Sequence, residues 1–175
     1  MDALHFEILP GFSPVRGHPC YVKEDYAFGF QMDGGEKESR KGTQGTTSFV
    51  VDTLQLEVAV DSSLCLYIWG YCPTGRWKRS PLSPPMAQPG SLRAIHDAPL
   101  VPGVSVSLEE MIPGTAWFDP ASGWFCMGNN ESPTDAQTVE FATGCLAVVM
   151  ADGRLSSLWV KPENWKEVAG QFSES

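Results

Sequence analysis

The chain has 175 residues, of which 42% are hydrophobic and 19% are charged, and this length favours one domain with a single core. Its 17 glycines and 14 prolines favour short strands joined by turns over long surface helices. The net charge of −9 repels phosphate backbones and anionic membrane surfaces, so neither nucleic acid nor a membrane is an expected partner. We expect a single all-β domain over residues 1–175.

The N-terminal stretch, MDALHFEILPGF, lacks the basic start, the apolar core and the cleavage site of a signal peptide. No later run is apolar enough to cross a bilayer. The five cysteines are odd in number and form no C-x-x-C pair, which argues against a disulfide framework or a zinc knuckle. These features predict a cytoplasmic protein without a cofactor, whose cysteines are reduced and mostly buried.

Weak strand patterns come first along the chain, at residues 5–9, 21–32 and 46–51. The polar and charged residues 34–45 predict a mobile loop between the last two of them. The clearest pattern follows, because Leu54, Leu56 and Val58 alternate with polar residues before an Asp-Ser-Ser turn at residues 61–63. Residues 64–71 are apolar on both faces, which is typical of a strand in the middle of a sheet.

A long irregular crossing, residues 73–102, separates this hairpin from two others. Residues 116–118 and 124–127 flank an Asp-Pro-Ala-Ser-Gly loop, and residues 145–150 and 155–160 flank Ala-Asp-Gly-Arg. Weaker strands are predicted at residues 104–108 and 137–142. The segment PENWKEVAG, residues 162–170, predicts a short helix that packs Trp165 against a sheet edge or a barrel mouth.

About ten strands joined by tight hairpins predict an all-β, mainly antiparallel fold. Two architectures fit this pattern, a sandwich and a partly open barrel, each with a short C-terminal helix. Of the six tryptophans, Trp69, Trp117, Trp124 and Trp159 fall within strand patterns and are expected in the core. Only Trp77 and Trp165 are expected as contact residues.

The candidate binding surface lies where the first strong hairpin leaves its sheet. The densest basic cluster of the acidic chain surrounds Trp77, and two aromatic residues precede it on the strand. Such a group can stack on a planar or anionic ligand or anchor a protein partner. The alternation at residues 76–78 also fits an edge strand with Trp77 inward. The candidate residues are Trp69, Tyr71, Arg76, Trp77, Lys78 and Arg79.

Enzyme signatures are weak in this sequence, which contains no phosphate loop, dinucleotide fingerprint, nucleophile elbow, HExxH helix or EF-hand. A metal centre would need His18 and Cys20 to meet His96 and Asp97 in space. A cysteine nucleophile would need Cys20 beside His18 on an extended strand.

A glycosidase would need two carboxylates that face each other across a cleft. The candidates are Glu109, Glu110, Asp119 and Glu140, which occur at strand ends, in turns and within a strand pattern. Solvated or turn positions explain these acids equally well.

The sequence therefore predicts a non-catalytic binding or interaction module, possible partners being a basic protein or a small ligand. A basic protein partner, of the toxin-neutralising or regulatory type, would match the acidic charge. One alternative is a β-barrel that binds a sugar or a planar anion near Trp77. The other is a metal-dependent enzyme that uses His18, His96 and Asp97.

Overall fold

The computed structural model describes residues 4–34 and 44–173, and strands make up most of its regular structure. In chain order the strands are β1 (Leu4–Leu9), β2 (Gly17–Val22), β3 (Ala27–Met32), β4 (Thr46–Val51), β5 (Leu54–Ala59), β6 (Cys65–Tyr71), β7 (Lys78–Arg79), β8 (Gln88–Pro89), β9 (Ser91–His96), β10 (Val106–Ser107), β11 (Ala116–Phe118), β12 (Phe125–Gly128), β13 (Gln137–Ala142), β14 (Cys145–Val149) and β15 (Leu155–Val160). A 3-10 helix, Thr74–Arg76, precedes β7, and the α-helix α1 covers Trp165–Ser173.

The strands form a six-stranded sheet in the order β10-β4-β5-β6-β3-β2 and a seven-stranded sheet in the order β7-β11-β12-β15-β14-β13-β8. Strands β1 and β9 pair with each other in a third, two-stranded sheet. The short strands β7, β8 and β10 pair in parallel, and the longer strands pair antiparallel. No sheet closes into a barrel within the described residues. The predicted all-β, mainly antiparallel fold with a short C-terminal helix is confirmed.

The main core lies between the two large sheets. Its buried side chains come from both sheets and form one continuous cluster. Phe28 of β3 and Phe125 of β12 make direct contact across it, with ring centroids 4.8 Å apart. Because each fully buried side chain of this size contributes about 1.5–3 kcal/mol, the shared cluster is the main force that holds the sheets together.

The three strongest hairpins form where the sequence predicts them, as β5–β6, β11–β12 and β14–β15. Strand β6 lies between β5 and β3, in agreement with its apolar pattern on both faces. The Asp-Gly turn between β14 and β15 places Gly153 at φ +86°, a conformation that glycine adopts without steric cost. Local pattern and turn chemistry therefore suffice for these elements.

Three predicted elements are wrong in detail. Residues 21–32 are not one strand, because the chain turns between Val22 and Ala27 and returns as β3. The supposedly irregular crossing contains β9, whose partner β1 is distant in sequence. Helix α1 passes through Gly170 to Ser173, because Phe172 packs on Phe118 at 5.2 Å between ring centroids and outweighs the helix-breaking tendency of glycine. Residues 35–43 of the predicted mobile loop lie outside the described residues.

Residues 80–87, called the strap here, cross the outer face of the seven-stranded sheet. Strands β7 and β8 are the two edge strands of this sheet. Since neighbouring strands are roughly 4.8 Å apart, the two edges are separated by about 29 Å. The nine residue steps from Arg79 to Gln88 reach only about 30 Å, so the strap is nearly fully extended. Proline suits such an extended segment, and the strap contains three, Pro81, Pro84 and Pro85.

The strap covers a second buried cluster. Leu82 lies in this cluster with residues of β12, β14 and β15, and Ala87 packs against it. Leu146 and Val148 of β14 face the strap, whereas Ala147 belongs to the main core, as expected for alternating side chains. The seven-stranded sheet is therefore covered on both faces.

Candidate functional site

The central residue of the predicted binding cluster is buried. Trp77 is 7% exposed. Its ring stacks on Phe28, with centroids 5.6 Å apart and planes 9° from parallel, and lies 4.9 Å from Phe125. The indole N–H donates to Cys72 Sγ at 3.3 Å. Trp77 therefore belongs to the core, and the surface contact expected of its ring is not available.

A buried polar network fixes the chain around Trp77. The Tyr21 hydroxyl donates to the Cys72 carbonyl at 2.8 Å, and the Tyr21 ring meets Trp77 edge to face at 5.1 Å. Burial raises the pKa of the Cys72 thiol to about 12, so this sulfur stays protonated at neutral pH. Burial likewise raises the pKa of Tyr21. These contacts fix Cys72 and Trp77, which are the chain neighbours of Tyr71 and Arg76.

The three cations of the predicted cluster are exposed, and each has a partner in the molecule. Arg76 pairs with Asp52 at 3.2 Å, Lys78 lies 5.4 Å from the centre of the Trp117 ring, and Arg79 donates to the Phe172 carbonyl at 3.5 Å. An exposed ion pair contributes only about 0–1 kcal/mol, so these contacts can open for a ligand. An anionic ligand would nevertheless have to compete with them.

An exposed pair of tyrosines lies next to this loop. Tyr26 is 53% exposed and Tyr71 is 47% exposed, and their ring centroids are 6.5 Å apart. The backbone holds the pair together, because Ala27 pairs with Tyr71 and the Cys72 N–H donates to the Tyr26 carbonyl at 2.7 Å. The sequence pattern identifies Tyr71 but not Tyr26, because it places Tyr26 in the middle of a strand over residues 21–32.

Carboxylates accompany the two tyrosines. Glu24 and Asp25 are exposed on the same turn as Tyr26, and Asp52 lies on the turn between β4 and β5. The Thr53 hydroxyl donates to the Tyr71 carbonyl and links that turn to β6. We call Glu24, Asp25, Tyr26 and Tyr71 the tyrosine patch.

The backbone has a positive φ at one position of the patch and at one position of the neighbouring turn between β4 and β5. Tyr26 has φ +51° and Asp52 has φ +55°, in the left-handed region that few residues other than glycine occupy. Such conformations persist only where the surrounding structure enforces them, and they cluster at functional sites. The surrounding structure therefore holds the backbone at Tyr26 in this conformation.

The indole N–H of Trp69 is hydrogen-bonded to a neighbouring carboxylate. This N–H donates to Glu57 Oε1 at 3.2 Å, and Glu57 also accepts hydrogen bonds from Thr46 at 2.9 Å and Ser48 at 2.7 Å. Burial, and secondarily the charge of Glu57, raises the pKa of Tyr67. Trp69 and Tyr71 share a face of β6, but the Trp69 polar edge is directed to this network.

The four residues proposed for a metal centre do not assemble. His18 Nδ1 lies 2.7 Å from a Glu163 oxygen, and His96 Nδ1 lies 3.0 Å from the Ala98 carbonyl oxygen. Across residues 4–34 and 44–173, no three His, Cys, Asp or Glu side chains are placed to hold one metal ion. Burial raises the pKa of Cys20, which disfavours the thiolate that a nucleophile requires.

The candidate carboxylates also have separate positions and roles. Asp119 accepts hydrogen bonds from the Leu82 N–H at 3.0 Å, the Ala121 N–H at 2.9 Å and the Ser122 hydroxyl at 2.9 Å. Burial raises the Asp119 pKa, but these hydrogen bonds together outweigh it and hold the pKa below its ordinary value. Asp119 therefore anchors the strap. Glu140 accepts from the Gly144 N–H at 3.2 Å, within its own hairpin.

No model of a known protein family matches the chain, and no curated protein matches its sequence. No helix among the described residues is long and apolar enough to cross a membrane.

Proposed function

We propose that this protein is a non-catalytic binding module of the toxin-neutralising or regulatory type, which holds a basic segment of a partner protein on the tyrosine patch. The observation that supports this proposal is the exposed ring pair of Tyr26 and Tyr71, with the exposed acids Glu24 and Asp25 on the same turn as Tyr26. Tyrosine is enriched among the residues that dominate protein interfaces. Lysine and arginine are attracted both to the face of a tyrosine ring and to carboxylates.

The overall charge supports the same partner. A net charge of −9 attracts a basic protein over a long range and speeds its association. Two nearby cations oppose this attraction locally: Arg76, whose charge is offset by its pairing with Asp52, and Lys23, which is exposed on the same turn as Glu24 and Asp25. The expected complex is therefore weakened by salt.

The cytoplasm is the proposed location of this interaction. All five cysteines are thiols, and four of them are buried. Burial raises the pKa of Cys145 to about 12 and makes this thiol unreactive. A reducing compartment suits a protein whose cysteines fill its core as thiols.

The proposal is tested with a fluorescent peptide of alternating lysine and glycine, whose binding is followed by anisotropy. The double variant Tyr26→Ala, Tyr71→Ala keeps every charge, and we expect it to weaken binding by about tenfold. Phe12→Ala is the matched control, because Phe12 is equally exposed, at 54%, and lies outside the patch.

Two further measurements complete this test. The melting temperatures of both variants should stay close to that of the parent, because the side chains removed are half exposed. A peptide with glutamate in place of lysine should not bind. Equal binding by the double variant and the parent, or equal binding of the acidic peptide, would exclude the tyrosine patch as a basic-partner site.

A further inference from the structure

An open depression of about 430 Å³ lies between the two-stranded sheet, the edge strand β10 of the six-stranded sheet and the turn that joins β14 to β15. Its walls come from the start of β1, the end of β9, the edge strand β10 and the turn before β15. The lining residues are Leu4, His96, Val106, Ser107, Glu110, Met111 and Arg154. Its volume falls in the range of about 300–1,000 Å³ that is usual for small-ligand sites.

Hydrogen bonds hold the walls of the depression in place. The Phe6 N–H donates to the Gly153 carbonyl at 2.7 Å and ties β1 to the turn that carries Arg154. The Leu108 N–H donates to the Val50 carbonyl at 2.8 Å and ties the segment after β10 to β4. Hydrogen bonds therefore fix β1 to the turn before β15 and the segment after β10 to its own sheet.

Arg154 is oriented by the backbone opposite to it. The guanidinium Nη2 donates to the Glu110 carbonyl at 2.7 Å, and the Arg154 backbone N–H donates to Asp152 Oδ1 at 3.1 Å. A guanidinium has five N–H donors in a planar fork, so one bond to a carbonyl leaves donors for a carboxylate. Arg154 thus supplies an anion-binding group at the rim.

His96 is held in one tautomer. Its Nδ1 is 3.0 Å from the Ala98 carbonyl oxygen, which can only accept a hydrogen bond. Nδ1 therefore carries a proton, and in the neutral ring Nε2 is an acceptor. With the Glu110 carboxylate, the same depression contains two groups that accept hydrogen bonds from a cation.

We propose that this depression binds a small zwitterion with an apolar side chain, in the manner of a free amino acid. Its carboxylate would pair with Arg154 and its ammonium group with Glu110 and His96 Nε2. The apolar side chain would contact Leu4 and Met111. The Glu110 carboxylate would repel a simple anion, and the Arg154 guanidinium would repel a simple cation. A ligand that carries both charges therefore fits best.

Isothermal titration of the intact protein with three related compounds tests this proposal. L-leucine has both charges, 4-methylpentanoate lacks the ammonium group and 3-methylbutylamine lacks the carboxylate. We expect leucine to bind and each truncated compound to bind more weakly by about tenfold or more, because a charged partner in the site is left unpaired. Leucine should also shift the His96 ring signals in NMR spectra.

Two pairs of variants assign the charges. Arg154→Gln and Glu110→Gln should each weaken leucine binding by about tenfold. Arg16→Gln and Glu109→Gln are the controls, because both side chains are exposed and neither lines the depression. The absence of binding by leucine, methionine and phenylalanine alike would overturn the proposal. Equal binding of the truncated compounds, or unchanged binding by Arg154→Gln, would also overturn it.

Discussion

His18 links two parts of the chain that are distant in sequence, and its charge state makes this link sensitive to pH. Its Nδ1 lies 2.7 Å from Glu163 Oε1, just before α1, and its Nε2 lies 3.4 Å from Asp33. The hydrogen bond to Glu163, and next the charge of Glu163, raises the pKa of His18 above its ordinary value of 6.5. Since the folded pKa is the higher one, this stabilisation is complete below the unfolded pKa and is lost as pH rises through the folded pKa.

We predict that His18→Gln lowers the melting temperature most at pH 5 and progressively less as pH rises towards 8. Scanning calorimetry of the variant and the parent across this range measures the difference. In a Glu163→Gln background, the effect of His18→Gln should shrink at every pH, because the partner that raises the pKa is gone. A difference that stays constant with pH would mean that the positive charge of His18 contributes nothing to stability.

The tryptophans show which residue-level properties the sequence can predict. Trp159 is buried as expected, but Trp69, Trp117 and Trp124 are only partly buried, and Trp77 is a core residue. The alternation of residues 76–78 allows two options, an inward Trp77 on an edge strand and an exposed Trp77 on a contact surface. That alternation favours the inward option, but local sequence does not reveal that the distant rings of Phe28 and Phe125 cover the Trp77 side chain.

At the scale of elements, the strap was the least predictable part of the fold. The prolines of residues 80–87 indicate an extended segment, but they do not indicate that it spans a sheet from edge to edge. That path depends on β7 and β8, two-residue strands whose partners lie at residues 117–118 and 139–140. Strands this short have no usable periodicity, so their pairing follows from the tertiary structure.

Two substitutions in the strap should differ strongly in their effect on stability. Leu82 is 6% exposed above the second cluster, and Met86, in the same strap, is 97% exposed. Leu82→Ala should lower the free energy of unfolding by about 2–4 kcal/mol, since it leaves a cavity over the sheet. Met86→Ala should change it by less than about 0.5 kcal/mol. Urea titration measures both, and equal effects would show that the strap does not stabilise the sheet.

For the molecule as a whole, the sequence was sufficient for fold class and insufficient for topology. Tight hairpins such as β5–β6 depend on neighbouring residues and were predicted correctly. The pairing of β1 with β9 joins Leu4 to His96, and no local pattern selects that partner. The tyrosine patch was missed in part for the same reason, because Tyr26 meets Tyr71 only through the pairing of β3 with β6.

The shared core leads to a prediction about how the molecule unfolds. One buried cluster contains side chains of both large sheets, and ring contacts such as Phe28 with Trp77 and Phe125 cross between them. Loss of either sheet would expose the apolar face of the other, so neither should persist alone. We expect urea unfolding followed by far-UV circular dichroism and by tryptophan fluorescence to give the same midpoint.

Leu82→Ala sharpens this test, because it weakens only the outer face of the seven-stranded sheet. If the sheets unfold together, the substitution should shift the circular dichroism and fluorescence midpoints by the same amount. Two midpoints in the parent, or a shift confined to one signal in the variant, would mean that one sheet remains folded after the other is lost. The buried contacts between Phe28, Trp77 and Phe125 would then contribute little to cooperativity, contrary to the continuity of the core.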